Sequence, residues 1–202
     1  MFRPFFLAVP LILAPLVMSA PAAAQSYSEG YSFLKAVKDH DGTKVMSLIG
    51  GERGAIVVNS KDAGNGDTAL HIVARARDDT WLSFLLGKGA QPNVQNKAGE
   101  TPLTIAAQIG WTEGADLLLS RRAAVNMPNR NGETPLILAV HGNDIAMVQL
   151  LMKNGADPKA TDNAAGYSAI DYAKRDPRGA AITKVLESAR VAPRPVAGPR
   201  LR

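Results

Sequence analysis

The sequence predicts an all-α fold, a solenoid of about five helix-turn-helix repeats joined by β-hairpin-like turns. The phrase GETPL begins at Gly99 and again at Gly132. Related starts at Gly66 and Gly166 give steps of 33, 33 and 34 residues along the chain. Self-similarity at this period is typical of stacked repeats, because each repeat can bury its apolar face only against its neighbours.

The composition of the chain limits the alternatives. Its 202 residues are 46% hydrophobic and 20% charged, which allows a packed core. There is no Cys, so disulfides, thiolate metal sites and a cysteine nucleophile are excluded. The net charge of +5 belongs to the ends, since residues 25–189 hold 18 basic and 18 acidic residues. A domain without surplus positive charge is a poor candidate for nucleic-acid binding.

Residues 1–24 have the pattern of a secretory signal peptide. A positive charge at Arg3 precedes the apolar run 5–17, and small residues follow. This run is shorter than the roughly 20 residues that a membrane-spanning helix needs. We expect cleavage after Ala24, with Ala20 as the alternative site, and a periplasmic or secreted protein without a stable membrane span. Anchoring in the membrane by an uncleaved segment is the alternative localisation.

Five units are predicted between a short linker at 25–30 and a tail at 190–202. They lie near 31–65, 66–98, 99–131, 132–165 and 166–189. The first and last units are atypical, as expected for the ends of a solenoid, which each have one face toward water. The tail combines four Arg and three Pro residues with no acid, so it is predicted to be disordered. It is either a plain solvated end or a segment that docks onto an acidic partner or anionic lipid.

Helix signals recur inside the units. Thr101 is placed to cap a helix N-terminus with its hydroxyl, and Pro102 follows at the first helical position, where a missing N–H costs nothing. The same pair returns at Thr134. Gly89 and Gly155 are expected to end second helices in the left-handed conformation.

These repeats resemble those of the ankyrin-repeat family. The stretches GDTALHIVA from Gly66, GETPLTIAA from Gly99 and NGADPKATD near the end of the third full unit are similar to the family pattern. The resemblance covers residues 31–189, with departures such as Arg122 in place of a terminal Gly. With the leader, it implies an exported bacterial ankyrin-repeat protein. It also implies that His71 makes a structural hydrogen bond to a neighbouring turn.

The resemblance further implies recognition of a protein by the hairpin tips and the first helices, which we call the inner face. The candidate partner-binding residues are Arg75, Lys97, Glu100, Gln108, Trp111, Arg130, Asn131, Glu133 and His141. Trp111 is either exposed and able to anchor a partner or packed on the next repeat. Trp81 is expected in the core.

The predicted function is that of a non-catalytic protein-interaction module, a monomer exported to the periplasm, whose partner is an unknown protein. No cofactor and no metal are expected, because His40 and His141 lack a histidine partner at helical ligand spacing. No G-x-S-x-G or H-E-x-x-H motif appears. The alternatives are an accessory or stress-protection factor, for example in oxidative defence, that acts through a partner enzyme, and an undetected hydrolase.

Overall fold

A computed structural model of the protein describes the backbone of residues 22–188 and the side chains from Glu29 to Ser188. The predicted signal peptide as far as residue 21 and the predicted tail lie outside the described residues. Within that part of the chain, all the regular elements are helices. They are Ala22–Lys38 (α1), Gly42–Ile49 (α2), Gly54–Val57 (α3), Ala69–Ala76 (α4), Asp79–Gly87 (α5), Pro102–Gln108 (α6), Thr112–Ser120 (α7), Pro135–His141 (α8), Ile145–Lys153 (α9), Ala169–Arg175 (α10) and Ala180–Ser188 (α11).

The helices are stacked in two layers. The first helices of the repeats, α1, α4, α6, α8 and α10, contact one another in that order. The second helices α5, α7, α9 and α11 form the other layer, and each packs on the first helix of its own repeat. This arrangement confirms the predicted all-α solenoid.

The helix α6 shows why the repeated sequence folds as it does. Thr101 accepts the backbone N–H of Thr104 at 3.2 Å, and Pro102 occupies the first helical position. Leu103 and Ile105 are completely buried between the neighbouring first helices. Because small residues such as Ala106 lie beside them, adjacent helices can approach closely.

The glycine that opens each full repeat is required by the next repeat. Gly99 and Gly132 have positive φ values of 76° and 78°. A Cβ on Gly99 would lie 2.7 Å from the backbone N of Arg130, and one on Gly132 would lie 2.7 Å from that of Asn163. The recurring glycine therefore lets successive hairpins stack against each other as well as turn.

The ends of the second helices agree with the prediction. Gly89 and Gly155 follow α5 and α9 with φ values of 89° and 87°. Arg122, which replaces this glycine in the repeat between them, still adopts a left-handed φ of 65°. Asn93 of the preceding repeat donates to the carbonyl of Arg122 at 3.1 Å, which helps to hold this turn in a residue that tolerates it less well than Gly.

The first unit differs from the prediction in two places. Residues 25–30, expected to form a linker, continue α1. The sequence from Ala22 to Glu29 contains no Pro or Gly to interrupt a helix, and Gly30 is tolerated within it where the helix packs closely against Ser60. The short helix α3 was not predicted. It begins where Gly54 packs against the carbonyl of Ile49, so closely that a side chain at Gly54 would not fit.

Candidate functional site

Two rows of residues repeat on the inner face at fixed positions of each repeat. The hairpin row consists of the residues that directly follow the first Gly of each repeat. The helix row consists of the residues nine positions after that Gly. The hairpin row is Asp67, Glu100, Glu133 and Tyr167, and the helix row is Arg75, Gln108, His141 and Arg175. Five of the nine predicted partner-binding residues belong to these rows. Sequence reasoning missed Arg175, although the spacing alone places it in the helix row.

Arg75 is bound within the chain. Its Nη2 donates to Oε2 of Glu100 at 2.6 Å, and its Nε lies 3.6 Å from Oδ2 of Asp67. Asn96 donates to both of these carboxylates at 2.8 Å. Arg75 and Glu100 therefore connect adjacent repeats, and a partner would have to compete with this network for either side chain.

The hairpin tips are joined by backbone hydrogen bonds. The N–H of Lys97 donates to the carbonyl of Asn65 at 2.8 Å, and that of Arg130 donates to the carbonyl of Ala98 at 3.1 Å. The Nζ of Lys97 donates to the carbonyl of Ala63 at 2.6 Å. The side chain of Arg130 is exposed and makes no hydrogen bond to another described residue. Of these two cations, Arg130 is the more available to a partner.

The remaining predicted residues of the inner face are likewise either bonded within the chain or exposed without a hydrogen-bond partner. Glu133 accepts from Asn129 at 2.8 Å and from Asn131 at 3.3 Å, and its other oxygen lies 3.8 Å from Nδ1 of His141. Gln108 is exposed and has no hydrogen-bond partner among the described side chains. Gln108 and Arg130 are thus the candidates most free to contact a partner.

The interpretation of Trp111 as an exposed anchor is wrong. Its side chain is only 4% exposed and belongs to the core between α6 and α7. The ring lies against Gly114, where a Cβ would come within 2.3 Å of its ring atoms. The ring is therefore packed, and its close contact is with Gly114 of its own repeat. Trp81, expected in the core, is half-buried and packs edge-on against Phe84.

The structural role of His71 is confirmed. The ring is completely buried, and its Nε2 donates to the carbonyl of Glu100 in the next repeat at 2.9 Å. Its Nδ1 accepts the N–H of Thr68 at 3.1 Å, which caps α4. Burial lowers the pKa of His71, and a proton on Nδ1 would break the cap. The neutral ring therefore joins two repeats, and both of its nitrogens are engaged in hydrogen bonds within the chain.

A ladder of asparagines, which sequence reasoning missed, joins the other ends of the second helices. Asn93 accepts the N–H of Ala124 at 2.7 Å and donates to the carbonyl of Arg122 at 3.1 Å. Asn59 and Asn126 make the same pair of bonds to their next repeats. Their spacing of 34 and 33 residues was the available signal. Side chains thus fix the distance between repeats on both sides of the stack.

Aromatic rings gather at the last two repeats of the inner face. His141 lies edge-on to Tyr172 with ring centroids 4.4 Å apart, and Tyr172 is 5.5 Å from Tyr167. The hydroxyl of Tyr172 donates to Asp162, and this hydrogen bond raises the pKa of Tyr172 to about 12. The guanidinium of Arg175 lies 4.1 Å from the centre of the Tyr167 ring.

Among the described side chains, no group of three or more His, Asp or Glu residues could hold a metal ion. In the segment 22–188, no helix is long and apolar enough to cross a membrane. What the inner face offers is a set of charged, amide and aromatic contacts held on a rigid stack.

Comparison with known proteins identifies the repeats. Residues 70–162 match the family model for ankyrin repeats, in three copies. Over 52 residues, 26% of the chain, the sequence is 42% identical to the nuclear factor NF-kappa-B p110 subunit of Drosophila melanogaster, and this covers 5% of that protein. Over 51 residues, 24% of the chain, it is 47% identical to a putative ankyrin repeat protein of Rickettsia felis, and this covers 22% of that protein. The chain thus spans less than a quarter of each relative.

Proposed function

From the premise that residues 70–162 are ankyrin repeats in an all-α solenoid, we propose that the protein is a non-catalytic module that binds a partner protein through its inner face. Ankyrin repeats generally act as protein–protein interaction modules. For this protein, we propose that the binding surface is the inner face, that its unpaired side chains contact the partner, and that the module has no catalytic activity.

The observation that carries the proposal is the rigid presentation of the inner face. Backbone hydrogen bonds join successive hairpin tips, as between Lys97 and Asn65 at 2.8 Å and between Asn163 and Asn131 at 2.8 Å. A surface that is already ordered loses little conformational entropy when a partner binds. On this frame, Arg130 and Gln108 are exposed and have no hydrogen-bond partner among the described side chains.

We also propose that the chain is exported to the periplasm and that its leader is removed after Ala24. The support is the charge at Arg3, the apolar run 5–17 and the small residues that follow it. Cleavage there would leave α1 intact from Gln25 onward. The mass of the mature protein, recovered from the periplasm of an expressing bacterium, would identify the cleavage site.

Capture of a partner from periplasmic extract tests the function. The tagged full chain is compared with the double variant Gln108→Ala, Arg130→Glu and with Lys153→Glu, a matched charge reversal on α9 of the other layer. We expect a partner that the double variant loses and the Lys153 variant retains, with unchanged circular dichroism for all three. A partner that is an enzyme would favour an accessory role. Equal capture by all three proteins would contradict binding through the inner face.

A further inference from the structure

Arg175 differs from the other arginine of the helix row in what surrounds it. Arg75, at the same position of an earlier repeat, lies between two carboxylates, Asp67 of its own repeat and Glu100 of the next. In the last repeat, Tyr167 occupies the position of Asp67. No further full repeat is available among the described residues to supply a counterpart of Glu100. Arg175 consequently has neither of the acids that Arg75 has.

The Tyr167 ring holds the guanidinium of Arg175 in place without using its N–H groups. The two are stacked with 4.1 Å between the guanidinium carbon and the ring centre, which favours a cation–π interaction. Arg175 makes no hydrogen bond or ion pair with any other described residue, so its edge is free to donate. An arginine that is stacked in this way presents a planar fork that matches a carboxylate.

The nearby acids of the last repeat are already satisfied. Asp162 accepts from the Tyr172 hydroxyl and from three backbone N–H groups. Asp171 accepts the N–H and the hydroxyl of Ser168 at the start of α10. Asp176 accepts from Arg178 at 2.9 Å. None of them forms an ion pair with Arg175, although the charge of Arg175 contributes, after Ser168 and Lys174, to lowering the pKa of Asp171.

A small cleft opens beside Arg175 on the inner face. It has a volume of about 360 Å³ and is lined by Val140, His141, Tyr172, Arg175 and Asp176. Val140 and the ring of Tyr172 are the apolar part of this lining, and its acid, Asp176, is paired with Arg178. The cleft therefore suits an apolar group that is attached next to a carboxylate.

We propose that Arg175 and this cleft bind an acidic side chain of the partner protein, a Glu or Asp next to an apolar residue. This inference rests on the proposed function, since it assigns one contact of the partner to the end of the helix row. A side-chain carboxylate is the expected ligand because the equivalent arginine, Arg75, is occupied by the carboxylate of Glu100 at 2.6 Å. The bound acid takes the place that Glu100 takes in the earlier repeat.

The test is an NMR titration of the isotope-labelled mature chain with a short acetylated and amidated peptide that contains Leu-Glu-Leu. The control is the same peptide with Gln in place of Glu. We expect the Glu peptide to shift the resonances of the Arg175 side chain, His141 and Tyr172, and to bind about tenfold more tightly than the Gln peptide. Because both ends are blocked, only the side-chain carboxylate can account for the difference.

Four variants distinguish this site from general charge attraction. Arg175→Gln removes the donors, and Tyr167→Glu restores the acid found at this position in the other full repeats, which is expected to pair with Arg175. Both variants should reduce the ratio of the affinities for the Glu and Gln peptides to about one. Tyr167→Phe keeps the stacking ring and Arg178→Gln removes an arginine that is already paired, so both should retain the preference.

Equal binding of the two peptides, or a preference for Glu that survives Arg175→Gln, would overturn the inference. The second result would point to other arginines, including those of the tail. Either failure is separable from failure of the proposed function. A partner captured through Gln108 and Arg130 but indifferent to Arg175→Gln would leave the interaction module standing without this contact.

Discussion

For the replacement of Gly114 by Ala, helix propensity and core packing predict opposite changes in the stability of the protein. Gly114 lies inside α7, where the change to Ala should stabilise an isolated helix by about 1 kcal/mol. In the structure, the added Cβ would lie 2.2–2.3 Å from three atoms of the Trp111 ring. The two arguments therefore differ in the sign of the effect on the free energy of unfolding.

The magnitude follows from what the Trp111 ring can do. The ring is rigid and only 4% exposed, so it cannot yield without disturbing the core. Overpacking of a well-filled core costs about 1–3 kcal/mol, and a contact this close belongs at the upper end. After the gain in helix propensity is subtracted, we expect Gly114→Ala to destabilise the protein by about 1–2 kcal/mol.

Urea unfolding followed by circular dichroism measures this change, with Gly87→Ala as the matched control. Gly87 is also helical, but a Cβ there meets nothing within 4 Å, so this variant should be neutral or slightly stabilised. In a Trp111→Ala background the clash disappears, and Gly114→Ala should stabilise by about 1 kcal/mol. If Gly114→Ala stabilises the otherwise unchanged protein as Gly87→Ala does, the packing argument is refuted.

Two further predictions concern contacts between repeats. Stability should fall as the pH drops below about 6.5, because burial lowers the pKa of His71 and the folded state then binds fewer protons than the unfolded chain. The loss should continue until the pH reaches the lowered pKa, and His71→Thr should remove this dependence in urea unfolding at several pH values while lowering the overall stability. Asn93→Ala should cost about 1–2 kcal/mol and accelerate hydrogen exchange of the Ala124 amide, since it deletes two bonds between repeats. Asn154→Ala, which deletes a bond to Leu150 within α9, should leave that amide unaffected.

Local sequence signals predicted the repeating unit and its helices. Thr101 and Pro102 marked the start of α6, and Gly89 marked the end of α5, because caps and turns depend on a few adjacent residues. The same kind of signal failed at residues 25–30, which continue α1 in spite of Gly30. The structural bond of His71 was predicted from the family resemblance.

Which side chains of the inner face are free to contact a partner depends on distances between atoms of adjacent repeats. Sequence position placed Arg75 and Glu100 among the partner-binding candidates, but their atoms meet at 2.6 Å once the repeats are stacked. Arg175 occupies the same row and is left free, because Tyr167 stands where the acid would be.

The sequence alone thus determined the period, the capped helices and the five-unit stack, since each of these is encoded within one repeat or by its recurrence. The tertiary structure decided whether Trp111 is buried and which charges are already paired. The physical reason is that ion pairing between repeats joins side chains about 25 to 35 residues apart, whose separation is set only when one repeat packs on the next. The burial of Trp111 likewise depends on how the helices around it pack, including its contact with Gly114.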